Sequence, residues 1–217
     1  MKLYGISGLG ADKRVFERLT LECEFIPIDW IQPLENESIE DYSKRLSTVI
    51  DQENDYGILG VSFGGLIAVE ISKVLKPKLT ILISSAETRD YLRSIFRGIG
   101  KIGITSLLPS RIFDPPRAIA HFIFGTNEKD LLNNILNDTD LDFAKWAVNE
   151  LLNWKNTQRL ERVLQISGTN DKLISPKKDK KTHLIKGGEH FMIVDRAEEI
   201  SQIINQEIKI NAPQQRL

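Results

Sequence analysis

Apolar residues in this chain follow two rhythms. Short, nearly continuous runs alternate with stretches in which they recur every three or four positions. The runs are Lys2 to Ile6, Glu24 to Ile28, Tyr56 to Val61, Leu79 to Ser84, Val163 to Ser167 and Thr182 to Ile185, and each predicts a strand. Helical spacing fills the intervals. Ile39, Tyr42, Leu46, Val49 and Ile50 fall on one face, with Ser38 placed to cap the start. Ile67, Ile71, Val74 and Leu75 repeat in the same way, and Pro77 lies just past the end. A last helix is predicted from about Ala197 to Ile208, with Ile200, Ile203 and Ile204 inward. This alternation predicts an α/β fold: a mainly parallel sheet of about six strands flanked by helices.

The alternation breaks between about Asp90 and Trp154, where no segment reads as a good strand. Leu131, Leu132, Ile135 and Leu136 mark one helix; Phe143, Ala144, Ala147, Val148 and Leu151 mark a second, with Asp140 as its cap. The predicted organisation is therefore a core of residues 1–90 and 155–217 with a helical cap, or lid, inserted at 91–154. The stretch from Arg89 to Arg117 carries six basic residues (Arg89, Arg93, Arg97, Lys101, Arg111, Arg117) against Asp90 and Asp114. Those charges suit either an anionic substrate or solvent. The apolar residues among them, Ile95, Phe96, Ile99, Ile102, Leu107, Leu108, Ile112 and Phe113, suit an acyl or other apolar group.

Composition narrows the class. With 217 residues, 41% hydrophobic and 27% charged, the chain has the make-up of a soluble globular domain with a sizeable core. A formal net charge of −1 gives no general attraction to nucleic acid or to anionic membranes. Cys23 is the single cysteine, which excludes an intrachain disulfide and reads as a small buried residue. The first residues run directly into a strand, without the segment or cleavage site of a signal peptide, and no apolar run is long enough to span a bilayer. A cytoplasmic setting without stable membrane association is expected.

The chemistry concentrates in Gly60-Val61-Ser62-Phe63-Gly64-Gly65. An apolar strand enters this Gly-x-Ser-x-Gly pattern and a helix leaves it, the context of a nucleophile elbow. A Cβ at position 60 or 64 is expected to clash where strand and helix approach each other. A serine that merely caps the helix is the plain alternative. As nucleophile, Ser62 needs a base, and the base needs an acid to hold its tautomer. Residues just beyond strand C-termini gather on one edge of a parallel sheet. His190 follows the last strand after Gly187 and Gly188, which makes it the preferred base. His121, in the insertion, is a second candidate, and His183 lies within a strand. Asp171 follows the strand ending at Ser167 and is the preferred acid, with Glu87 as the alternative; Asp29 reads as structural. The chain order is Ser62, Asp171, His190. Oxyanion stabilisation needs two N–H donors. Phe63, directly after the nucleophile, and Leu9, in Ser7-Gly8-Leu9-Gly10-Ala11-Asp12, are the candidates.

Taken together, these segments resemble the α/β-hydrolase fold superfamily, in particular small bacterial α/β hydrolases of uncharacterised substrate, over nearly the whole chain. The resemblance implies Ser62 as nucleophile, Asp171 as acid, His190 as base, and Phe63 with Leu9 as oxyanion donors. It departs from the family in three places. Ser7-Gly8 stands where the family often has His-Gly, the stretch from Asp171 to His190 is short, and the chain begins at once with a central-type strand. The expected activity is hydrolysis of a small ester or thioester through an acyl-enzyme, acting on a small-molecule acyl substrate without metal or organic cofactor. A lyase or carbon–carbon bond hydrolase with the same triad, and a non-catalytic small-ligand receptor, are the rival readings.

Overall fold

The structure, a computed structural model, describes residues 1–93, 108–176 and 182–211. Six strands form one sheet in the order β2-β1-β3-β4-β5-β6, and every neighbouring pair is parallel. They are β1 (Lys2–Ile6), β2 (Glu24–Ile28), β3 (Tyr56–Val61), β4 (Leu79–Ile83), β5 (Val163–Gly168) and β6 (Thr182–Ile185). Every residue of β3, β4 and β5 is buried. This is why they read as unbroken apolar runs: helices cover both faces of a parallel sheet.

Between the first strands lies α1 (Ile39–Leu46), started by Ser38, whose side chain accepts the Asp41 N–H. Helix α2 (Phe63–Leu75) follows β3 and is buried over its first ten residues. Helices α3 (Arg117–Phe124), α4 (Lys129–Asp138) and α5 (Leu141–Asn153) occupy the segment that breaks the alternation, and Asp140 caps α5 through the N–H groups of Asp142 and Phe143. A short helix, α6 (Met192–Asp195), and a long one, α7 (Ala197–Asn211), end the described residues.

Two apolar clusters lie on opposite sides of the sheet. One holds Tyr4, Ile58 and Leu82 with α1, α2 and the Phe143–Ala147 face of α5. The other holds Leu3, Leu59, Ile81 and Ile166 with α7, and also Leu132 and Ile135 of α4. Helices α4 and α5 therefore belong to different clusters, and the segment joining them passes across the sheet's edge. Three bonds fasten α5 and the residue after it to the core: Trp146 Nε1 donates to Glu37 O (2.9 Å), Ile39 N to Glu150 Oε2 (2.9 Å) and Trp154 Nε1 to Glu70 Oε1 (2.8 Å).

Several local expectations need correction. Val49 is 62% exposed, because α1 ends at Leu46 and a tighter 3-10 turn over Ser47–Val49 rotates it outward, while Ile50 stays buried. Val74 is 66% exposed on the last turn of α2. Ile203 does pack inward on the second cluster, while Cys23 is only half-buried at that cluster's rim; its partial burial raises the thiol pKa. Ile112 is 57% exposed. Ile95, Phe96, Arg97, Ile99, Lys101, Ile102, Leu107 and the stretch 177–181 lie outside the described residues.

Candidate active site

The order of strands makes the site. From β1 the chain steps outward to β2, then crosses back to place β3 on the other side of β1. The segments leaving the C-termini of β1 and β3 thus diverge, and a crevice opens between them. The Gly8 turn and Ser62 stand on its two sides: a Cβ on Gly8 would lie 3.5 Å from the Cβ of Ser62.

Ser62 adopts φ 51°, ψ −121°, a region that costs a residue with a side chain on the order of 1–3 kcal/mol. The surroundings impose it. A Cβ on Gly60 would sit 2.5 Å from the Cα of Gly65, and one on Gly64 2.6 Å from the carbonyl oxygen of Ile6. Ser62 N–H donates to Ile83 O (3.0 Å), and Ser85 Oγ donates to Ser62 O (2.6 Å). Gln165 Nε2 in turn donates to Ser85 O (3.0 Å). The side chain of Ser62 makes no capping bond to α2. It points to His190: Oγ lies 2.8 Å from Nε2.

His190 and Asp171 are each 4% exposed. The imidazole Nδ1 lies 2.9 Å from Asp171 Oδ2 and 3.1 Å from Oδ1. An ionised carboxylate only accepts, so the proton resides on Nδ1 and Nε2 is left to accept from Ser62 Oγ. Burial works to raise the Asp171 pKa, but the charge and hydrogen bond of His190, with the N–H groups of Ile174 and Leu173, outweigh it and hold the carboxyl below its usual range. Those two N–H groups donate to Oδ1 at 3.0 and 2.8 Å. Asp171 thus makes the turn bonds a loop aspartate makes, and still faces the histidine.

The other titratable candidates go elsewhere. Glu87 is buried, with Oε1 accepting the Leu160 N–H at 2.7 Å. His121 Nε2 lies 2.8 Å from Asn133 Oδ1, a bond between α3 and α4. His183 is exposed on β6. Among the described residues, no group of three His, Cys, Asp or Glu side chains is placed to hold a metal ion.

On the far side of the crevice, Ala11 N–H donates to Gly8 O (3.0 Å), closing a turn with Gly10 at φ 68° in its third position; a type II turn needs positive φ there. The Ala11 carbonyl accepts from Ser7 Oγ (2.7 Å) and from Trp30 Nε1 (2.9 Å). These two donors brace the loop in which the family often has His-Gly. Thr139 Oγ1 lies 3.1 Å from Gly10 O and 2.9 Å from Ile135 O, so its one proton is shared between the two carbonyls and the α4–α5 connection sits against the same turn. Phe63 is the first residue of α2, where a helix has no internal acceptor for its N–H and its dipole favours negative charge.

Three features were not legible beforehand. Trp30, two residues past β2, packs its ring on Phe63 (6.0 Å between centroids) and on Phe143 (5.0 Å). The end of α3 reaches the histidine loop: Phe191 N–H donates to Phe124 O (3.0 Å), and the Phe124 ring lies 5.7 Å from the imidazole. Lys172 pairs with Glu189, so the neighbours of the acid and of the base are themselves joined, while Lys172 Nζ lies 5.0 Å over the Phe122 ring. Trp30 and Glu189 both follow strand C-termini, and that position is the one sequence signal they carry.

No family model matches the chain, and no curated protein matches it by sequence. Solved structures do. A thioesterase from the prodiginine biosynthetic pathway of Streptomyces coelicolor is similar with a TM-score of 0.64 at 15% identity, covering 95% of this chain and 90% of that one. A thermophilic esterase from Thermogutta terrifontis gives 0.70 at 13% identity, covering 98% and 91%. A putative aryl esterase from Burkholderia cenocepacia gives 0.72 at 11% identity, covering 97% and 90%. At these identities the likeness establishes the fold, which is that of the α/β-hydrolases.

Proposed function

We propose that this chain of α/β-hydrolase fold is a serine hydrolase that cleaves a small ester or thioester through an acyl-enzyme. One observation carries the reading. An unbroken relay runs from the half-buried Ser62 Oγ through buried His190 to buried Asp171, and Ser62 is held in a strained backbone conformation that frees its hydroxyl from helix capping.

In this mechanism Ser62 Oγ attacks the substrate carbonyl carbon while His190 Nε2 takes the hydroxyl proton. Asp171 stabilises the imidazolium and stays ionised. The N–H groups of Phe63 and Leu9 receive the oxyanion, each contributing about 3 kcal/mol of transition-state stabilisation. Collapse breaks the bond to the leaving alcohol or thiol, which departs with the proton from His190. Water, deprotonated by the same nitrogen, then releases the acid and restores Ser62. The segment 91–154 acts as the cap that shapes the acyl pocket. The esterase and thioesterase likenesses support the bond class.

A fluorophosphonate probe tests the reading. Wild type is expected to be labelled, and Ser62→Ala and His190→Ala to be unlabelled while still folded. Folded wild type that resists the probe, turns over no ester, and yet binds a small ligand supports a receptor instead. Turnover of a β-diketone or cyanohydrin in place of all esters supports the lyase alternative.

A further inference from the structure

We propose that Trp30 is a positioning residue for the oxyanion hole, a side chain that ties together the two elements carrying its donors. The inference rests on the hydrolase reading above and goes beyond it by naming what holds the hole in register. The donors stand on separate elements. Leu9 belongs to the turn after β1, and Phe63 to the first turn of α2. The strand pairing of β1 and β3 aligns their roots, but each donor lies past the end of its strand, where the ladder no longer constrains it.

Trp30 contacts both sides. Its indole N–H donates to Ala11 O, the last carbonyl of the Leu9 turn, at 2.9 Å. Its ring packs on the ring of Phe63, at 6.0 Å between centroids and 37° between planes. Phe63, 1% exposed, meets Trp146 edge-on from another side at 5.8 Å, so two indoles confine it. Ser7 Oγ is the second donor to Ala11 O, at 2.7 Å, and fills a different role. Ser7 lies four residues from Ala11 and stabilises the turn's own shape. Trp30 comes from beyond β2 and fixes where that turn sits relative to α2. Tryptophan suits the task because its rigid ring both packs against apolar neighbours and carries a donor.

Oxyanion stabilisation depends on donors preset at hydrogen-bond distance from the developing charge, so a small drift of one donor acts on the transition state more than on bound substrate. Trp30→Phe removes the N–H and keeps most of the ring. Ala11 O retains Ser7 Oγ, so no buried carbonyl loses its last partner and the fold survives.

The test uses the full chain and a p-nitrophenyl ester that the wild type turns over, with a boronic acid as the probe that forms a tetrahedral adduct on Ser62. Trp30→Phe is expected to lower kcat about tenfold with KM unchanged within about twofold. Boronate inhibition weakens by the same factor as kcat/KM. Substrate affinity measured on a Ser62→Ala background stays the same in the presence and absence of the Trp30 change. A purely structural role would not move kcat and boronate affinity together at constant substrate affinity. If Trp30→Phe fails to fold, benzothienylalanine incorporated at position 30, which exchanges the N–H for sulfur at nearly constant ring shape, enters the same assays. Unchanged kcat and boronate affinity, or a change confined to KM, overturn the inference while leaving the hydrolase reading standing. A wild type that neither labels nor turns over overturns both.

Discussion

The two walls of the candidate site are built from different materials. On one side Ser62, the Gly8 turn and Phe63 are held by steric contact and aromatic packing: backbone atoms leave no room for a Cβ on Gly60 or Gly64, and Trp30 and Trp146 pack on Phe63. On the other side Asp171 and His190 ride on loops tied by polar links. Arg93 donates to Asp171 O (3.0 Å), Lys172 pairs with Glu189, and α3 reaches Phe191 through one backbone bond. Close packing is stiff and intolerant of a single added methyl. Polar links at partly exposed positions are adjustable, because water and salt compete for them. Ser62 is thus set by volume, whereas Asp171 and His190 are set by a network that α3 and the loops share.

Gly64→Ala tests the stiff wall most severely. Its Cβ would meet the carbonyl oxygens of Ile6 and Ser7, neither of which can move without displacing β1. Loss of folding is expected, or destabilisation above about 3 kcal/mol. Circular dichroism and thermal melting check this, and a stable, probe-reactive variant would show that the elbow is looser than its contacts imply.

Asp171→Asn attacks the polar wall at its centre. Without an acceptor-only partner the imidazole loses its enforced tautomer, and kcat is expected to fall by about 10³–10⁴, measured by ester turnover. The same residue has a signature in pH. Its pKa is held below the unfolded value, so its contribution to stability is complete above the usual carboxylate pKa of about 3.9 and is lost as pH falls through the lower native value. The melting-temperature advantage of wild type over Asp171→Asn should therefore be constant near neutrality and shrink below about pH 4.

Phe124→Ala removes a ring beside His190 while leaving the backbone bond to Phe191. A loss of about tenfold in kcat is expected, equivalent to roughly 1.4 kcal/mol, with labelling by the fluorophosphonate slowed in proportion. Equal rates would show that α3 touches the histidine loop without steadying it. The smallest effect belongs to Lys172→Met. A partly exposed ion pair of this kind is worth about 0–1 kcal/mol; a twofold to threefold loss in turnover is expected, and the difference from wild type should vanish at about 1 M salt, where the Debye length is roughly 3 Å. A deficit that persists at high salt would assign the loss to packing on Phe122 instead.

Much of this site was readable along the chain. Six strands lie where apolar runs predicted them, and Asp140 and Ser38 cap the helices they precede. Ser62, Asp171 and His190 converge because each follows a strand that a parallel sheet sends to the same edge. The misreadings are also physical. Helical spacing continued through Val49 and Val74, yet a 3-10 turn and a helix end turned both outward. The missing His-Gly brace had no visible substitute in the sequence, since the donor beside Ser7 comes from Trp30, nineteen positions from Ala11.

What the sequence by itself determined is what neighbours within a few residues dictate: the period of apolar residues, the glycines around Ser62, the capping side chains, and so the elements and the chemical types at their ends. Only the tertiary structure decided which of those ends meet. Glu87 went to Leu160 and Asp171 to His190, Trp30 joined the Ala11 carbonyl to the Phe63 ring, and α3 settled against the histidine loop. Such pairings join residues far apart in the chain, and their energy depends on distances of a few tenths of an ångström and on the exclusion of water, quantities that exist only once the sheet and its helices have packed.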